Sequence, residues 1–381
     1  MIDRIIKKSI VSWLFKGKIL IIYGARRTGK TTLAKQIISE LGKKSLYLSC
    51  DTATVKMALR DPEPDKIKTF FGDNEVVVLD EAQHILNIGL VLKTFCDKFG
   101  DVQIIATGSS SFDLANKINE PLTGRAIEFI LYPLSVSEYV GAFGMPSYKS
   151  NEEMFMRFGM YPEIIGKSEI IATTLLKNIE TNYLFKDIFA FEEIRKPQLL
   201  HDLLTLLALQ LGSEVSPHEL AQKLSVSAVT VDRYLDLMEK TFVIKRLRAL
   251  SRNGRNEVRS NFKVYFIDIG LRNAIIRNFN PLNIRQDIGG IFENFFIMER
   301  VKYMNNIGGF MNAYFWRTYD QKEIDYIEES MGTFTGYECK FSRKAHAKDV
   351  STKRFLSLYA SSKVYIVHRE NYQQFLQSLN L

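Results

Sequence analysis

The chain has 381 residues, 46% hydrophobic and 25% charged, the profile of a soluble globular protein of two or three domains and not of a disordered or fibrous one. A formal charge of +8 is compatible with an anionic partner, while three distant cysteines (Cys50, Cys96, Cys339) and five scattered histidines exclude a disulfide framework and a zinc site. No run approaches the roughly 18 apolar residues that cross a bilayer, and the charges in MIDRIIKKSIVSWLFKG interrupt any secretory core, so a cytoplasmic location without membrane contact is expected.

The apolar run ILIIY leads into GARRTGKT, residues 24–31, and then into the helical pattern TLAKQIISEL. Strand, G-x-x-x-x-G-K-[ST] loop and helix are the context a phosphate-binding loop requires. Glycines at both ends let backbone N–H groups converge on phosphate oxygens, and the following helix contributes its positive end. Gly24, Ala25, Arg26, Arg27, Thr28, Gly29, Lys30, Thr31 and Thr32 are the expected nucleotide contacts, with Lys30 on the β and γ phosphates and Thr31 on Mg²⁺. The buried-strand run VVVLDEAQ follows, placing Asp80 beside the metal and Glu81 beside the attacking water. In VQIIATGSSS, Thr107 and Ser109 are expected near the γ-phosphate or the water; the ordinary alternative is a pair of turn or cap residues. Arg125 precedes a fifth strand and has two readings, a finger for a neighbouring subunit's γ-phosphate or a surface ion pair.

Strand patterns at 19–23, 45–49, 76–79, 102–107 and 127–131 alternate with helical ones, which predicts an α/β domain with a P-loop NTPase parallel sheet. Over about residues 1–145 the succession GARRTGKT, LDEAQ, ATGSSS and GR resembles the AAA+ ATPases, and within them a bacterial and archaeal branch that continues into segments such as PLSVSEY and GMYPEII. The resemblance implies a strand inserted centrally in the sheet, Glu81 as water activator, Thr107 or Ser109 as first sensor, Arg125 as finger in a homo-oligomer, and ATP with Mg²⁺ as cofactors. No second sensor arginine follows Tyr161.

Residues 146–194 read as a helical connector. From 195 to 268, LLHDLLTLLALQLG, the capped helix SPHELAQKL and SVSAVTVDRYLDLMEKT are followed by two strand patterns around Asn253-Gly254, which spells a winged helix-turn-helix. Seven basic residues and one acid lie between Lys245 and Lys263. Arg246, Arg248, Arg252, Arg255 and Arg259 on the wing suit phosphate contact, whereas Asp232, Asp236 and Glu239 on the presumed recognition helix repel a nucleic-acid backbone. A winged helix used for protein docking is the competing reading.

In residues 269–381, Glu293 lies in the helical run GGIFENFFIMERV, Asp325 in EIDYIEE, and Glu338 and Lys340 in GYECKF, two apart and so on one face of a strand. Charges in buried β-structure must share a cation or pair with one another. The pattern resembles the restriction-endonuclease-like α/β fold, the PD-(D/E)-x-K group, with Ile324 standing where that group has proline. It implies Glu293, Asp325 and Glu338 as metal ligands and Lys340 as catalytic lysine. The expected function is an ATPase whose nucleotide state controls a nuclease-like domain on nucleic acid. The alternative is a slow ATP-dependent switch that binds a protein partner and cuts nothing.

Overall fold

The computed structural model describes residues 2–60, 63–109, 122–184, 196–250, 262–309, 311–318, 321–342 and 349–376. The chain divides into two compact units, residues 1–134 with 240–242, and residues 135–239 with 243–381. No described helix is long and apolar enough to cross a membrane.

The first unit runs α1 (Lys7–Ser12), β1 (Ile19–Tyr23), α2 (Lys30–Leu41), β2 (Ser45–Ser49), α3 (Ala53–Ala58), α4 (Pro64–Phe71), β3 (Val76–Asp80), α5 (Ile88–Lys98), β4 (Gln103–Gly108) and β5 (Ala126–Ile130). The strands pair parallel in the order β2-β3-β4-β1-β5, so β4 is the central inserted strand. Alternation divides β1 between two cores. Leu20 and Ile22 meet Ile6 and Ile10 of the N-terminal segment and Leu33, Ala34 and Ile37 of α2 on one face. Glycine is required at position 24, because a Cβ there would fall 2.2 Å from the Leu131 carbonyl oxygen. Gly29 caps α2 at φ 96°, a left-handed conformation glycine adopts without steric penalty.

The second unit runs α6 (Val136–Phe158), α7 (Glu169–Asn178), α8 (Pro197–Leu209), β6 (Glu214–Val215), α9 (Pro217–Leu224), α10 (Ala228–Lys240), β7 (Ile244–Ala249), β8 (Phe262–Phe266), α11 (Ile269–Ile275), α12 (Ile288–Asn306), β9 (Asn312–Arg317), β10 (Glu323–Ser330), β11 (Thr333–Cys339), α13 (Asp349–Leu358) and β12 (Lys363–Val367). A full capping box, Ser135 with Glu138, starts α6, and Gly144 at φ 81° kinks it just before Pro146. One seven-stranded sheet, β12-β11-β10-β9-β7-β8-β6, joins strands on both sides of residue 268. The segment read as a connector packs into this unit: Arg157 forks onto Glu169 at 2.7 and 2.8 Å and donates to the Phe279 carbonyl.

The GMYP stretch has a structural explanation here. Buried Asp268 caps α11, accepting N–H bonds from Gly270 (2.9 Å) and Leu271 (3.2 Å), and its other oxygen accepts the Met160 N–H at 2.7 Å. A Cβ at Gly159 would fall 1.9 Å from the Asp268 carboxylate, so the turn leaves no room for a side chain.

Candidate functional site

Parallel strands of the first unit deliver their C-terminal ends to one edge, where β1 runs into the loop 24–29 and β3 ends in Asp80. Buried Lys30 donates to the carbonyls of Gly24 (2.8 Å) and Ala25 (3.0 Å), which holds its ammonium against the loop. Thr28 braces the same loop by donating to the Ala25 carbonyl at 2.9 Å. Arg26 is partly buried and Arg27 exposed, at a left-handed φ of 67°, while Thr32 sits in the first turn of α2.

Asp80, buried at 5% exposure, is the hub. One oxygen accepts from Thr31 (2.8 Å) and Tyr47 (2.5 Å), and the other accepts from Thr107 (2.6 Å). Burial, reinforced by the Asp80 carboxylate, pushes the Tyr47 phenol up, so it stays a donor. Thr107 in turn accepts the Glu81 N–H at 3.0 Å. Glu81 sits at φ 54°, ψ 47°, a left-handed conformation that costs a non-glycine residue about 1–3 kcal/mol and marks functional turns. Its carboxylate accepts from Gln83 Nε2, which also donates to Ser109 Oγ at 3.1 Å. Thus Lys30, Thr31, Asp80, Glu81, Thr107 and Ser109 are brought to one edge of the sheet.

Among the described residues three further ones carry this geometry: Arg4 and Tyr47 outside the motifs, and Gln83 inside LDEAQ but given no role from the sequence. Buried Arg4 donates to the Thr28 carbonyl (2.8 Å) inside the loop and to the Tyr132 carbonyl (2.6 Å) beyond β5. Tyr47 and Gln83 are the other two. The only sequence signal for Arg4 is a charge among the apolar residues of the N-terminal segment.

Arg125 lies elsewhere. It precedes Ala126, which pairs with Ile19 at the start of β1, whereas the loop follows Tyr23 at the opposite end. Four residues of strand are about 13 Å, so Arg125 does not reach its own subunit's phosphate edge. It forms an ion pair with Asp97 at 3.0 Å, both about two-fifths exposed, the surface-pair alternative weighed from the sequence.

In the second unit, four of the sequence-selected residues fall into two groups. Lys263 of β8, 1% exposed, places Nζ 3.1 Å from Glu293 Oε1 and 3.4 Å from Asp325 Oδ1, and it also contacts Glu323 Oε1. Tyr265, two residues along β8, donates to Glu293 at 2.6 Å, and the other oxygen of Asp325 accepts the Cys339 N–H at 2.8 Å. Burial raises the Glu293 carboxyl to about 7 against the pull of Lys263. Burial lowers the Lys263 ammonium, but Glu293, Asp325 and Glu323 more than offset this and hold it charged. Glu338 instead pairs with Lys340, at 3.1 Å.

Glu293 and Asp325 thus meet at Lys263 and Glu338 meets Lys340, with Asp325 also acting on Lys340: burial lowers that ammonium, but Asp325 and Glu338 more than offset it. Ile324 and Ile327 both enter the core formed with Trp316 and Phe355, although they are three apart, because β10 is bulged between them. The bulge turns Asp325 toward α12 and Glu293. On β11, Tyr337 packs on Phe296 of α12, while a Cβ on Gly336 would face Ile324 and Val364. Alternation then assigns Glu338 to the Gly336 side, away from Glu293. Among the described residues no three His, Cys, Asp or Glu side chains are grouped to hold a metal ion.

The basic segment read from the sequence as a wing is partly neutralised. Arg246 bonds Glu239 at 2.7 Å and pairs with Asp236, and Lys245 lies 3.9 Å from Glu239, while Arg248 is exposed. Arg252, Arg255 and Arg259 lie outside the described residues.

Residues 16–140 match a family model described as an AAA domain, and residues 150–282 and 288–380 match two domains of unknown function, DUF8612 and DUF4143. The first unit is thus AAA-type. An uncharacterized protein of Mycobacterium tuberculosis is 26% identical over 330 residues, 86% of this chain and 71% of its own length. One from Haemophilus influenzae is 25% identical over 336 residues, covering 81% of this chain and 79% of its own. A chain in the structure of Drosophila ORC bound to AT-rich DNA and Cdc6 aligns with 71% of this chain and 92% of its own at a TM-score of 0.24 and 10% identity, too distant to carry an argument.

Proposed function

We propose that the chain is an Mg²⁺-dependent ATPase of AAA type that works as a slow nucleotide switch, its second unit engaging a partner according to nucleotide state. The observation that carries this reading is the hydrogen-bonded chain Thr31–Asp80–Thr107–Glu81 beside the loop that bears Lys30. Those residues fit MgATP: a loop closed tightly against a carbonyl at Gly24, an ammonium for phosphate, and a hydroxyl–carboxylate pair for the metal. Mg²⁺ would supply charge neutralisation for the phosphates. Thr31 and Asp80 would hold it, Lys30 would hold phosphate oxygen, and Glu81 would accept the proton of the attacking water. Gln83, bonded to one oxygen of the Glu81 carboxylate, restrains its orientation, which favours slow turnover. Arg125, paired with Asp97 and out of reach in its own subunit, takes no part in this reading.

The order α8-β6-α9-α10-β7-β8, with β6 paired to β8 and β8 to β7, supports a winged helix. The order α12-β9-β10-β11-α13-β12 supports a restriction-endonuclease-like fold. Both serve here as a binding platform for a protein partner. The acids that neutralise Arg246 disfavour the nucleic-acid alternative, which rests on Arg248 and on Arg252, Arg255 and Arg259.

Steady-state ADP release tests this. We expect release in Mg²⁺, none in EDTA, at least a roughly tenfold loss in Thr31→Ala, and no stimulation by duplex DNA. No ADP release in Mg²⁺ contradicts the ATPase assignment, metal-independent turnover contradicts the metal role of Thr31 and Asp80, and strong DNA stimulation favours the nucleic-acid partner.

A further inference from the structure

We propose that the acidic centre of the second unit carries its own cation, the Lys263 ammonium, and is closed to the divalent metal that a phosphodiesterase would need. Three carboxylates on two elements, Glu293 of α12 with Glu323 and Asp325 of β10, converge on one nitrogen of a third, β8. Lys263 is buried, and its Nζ lies over the Phe315 ring of β9, 5.8 Å from the ring centroid.

A divalent ion needs carboxylate oxygens at about 2.0–2.6 Å and keeps several of them, or water, around it. Here Glu293 Oε1 is already taken by Tyr265 and Lys263, and Asp325 divides its oxygens between Lys263 and the Cys339 N–H. Gly212 closes the far side of Glu293, where a Cβ would lie 3.1 Å from Oε2. Glu338, which a two-carboxylate metal site would recruit, is held by Lys340. Metal entry would require displacing that ammonium, or would put two cationic centres among the same carboxylates. The cluster instead ties β8 to α12 and β10, within a sheet made continuous by the pairing of β7 with β9. This inference is independent of the ATPase reading, since every residue in it belongs to the second unit.

The test is the number of Mn²⁺ ions bound by the nucleotide-free full chain, counted by electron paramagnetic resonance at millimolar Mn²⁺. Wild type and Glu293→Gln are expected to bind the same number. Lys263→Met is expected to bind one more than wild type, and the gain should vanish in Lys263→Met/Asp325→Asn. The proposal is overturned if wild type binds one ion more than Glu293→Gln, or if a folded Lys263→Met gains none. Should Lys263→Met not fold, the comparison of wild type with Glu293→Gln decides alone. Neither comparison depends on ATP turnover, so loss of the ATPase reading would leave this result intact.

Discussion

Glu81→Gln is expected to lower ATP turnover by about 10²–10⁴-fold while leaving ATP affinity within a few-fold of wild type, the range by which a positioned general base contributes. Glutamine keeps the shape of the side chain and the Glu81 N–H bond to Thr107, so the left-handed turn and the Asp80 hub should persist. What is lost is the carboxylate that accepts the proton. Single-turnover phosphate release under saturating ATP, beside nucleotide binding followed separately, distinguishes the two effects. Equal losses in binding and turnover would show that Glu81 shapes the site and does not perform the chemistry. A Gln83→Ala variant gives the complementary readout: if its bond holds the base in reserve, turnover rises when it is removed.

The largest stability effect is expected in the second unit. Arg300 of α12 and Glu328 of β10, at 0% and 3% side-chain exposure, form a two-point pair at 2.8 and 2.6 Å, with Tyr337 also donating to Glu328 at 3.2 Å. Truncating one partner leaves a buried charge uncompensated, so Arg300→Met should destabilise this unit by about 3–5 kcal/mol. At about 2–4 °C per kcal/mol for a unit of this size, its thermal transition should fall by roughly 6–20 °C. Arg300→Met/Glu328→Leu should recover much of that loss, because desolvating the pair offsets much of its attraction. A double variant no more stable than the single one would show that the pair itself, and not the orphaned carboxylate, sets the cost. Differential scanning calorimetry reads both.

The first unit was largely legible because its chemistry is contiguous. A loop motif and strand-end carboxylates are local patterns, and the five strands fall within one residue of the predicted spans. Of its missing parts, Arg4 and Tyr47 act on groups tens of residues away that no spacing announces, while Gln83 lay inside LDEAQ but its bonds to Glu81 and Ser109 were not readable there. The division into units and the second unit's site were harder for a different reason. Periodicity along one strand shows that Glu338 and Lys340 share a face, but not which face, and the bulge in β10 resets that relation for Asp325. The requirement that buried charges share a cation or pair was readable. That the cation is Lys263, 62 residues before Asp325, was not. Its one trace in the sequence is a charged residue inside the apolar run FKVYF, which demands an acid partner without naming it. Likewise GMYP was visible as a motif, yet its cause, the Asp268 carboxylate that accepts the Met160 N–H, lies 108 residues on from Met160.

Titration calorimetry of the full chain with ATP in Mg²⁺ tests the central claim most directly. Wild type should bind one ATP per chain, and Lys30→Ala, which removes the ammonium held at the Gly24 and Ala25 carbonyls, should bind at least about 100-fold more weakly, some 2.7 kcal/mol. Folded wild-type protein that gives no heat with ATP, or equal affinities for the two proteins, would contradict the account.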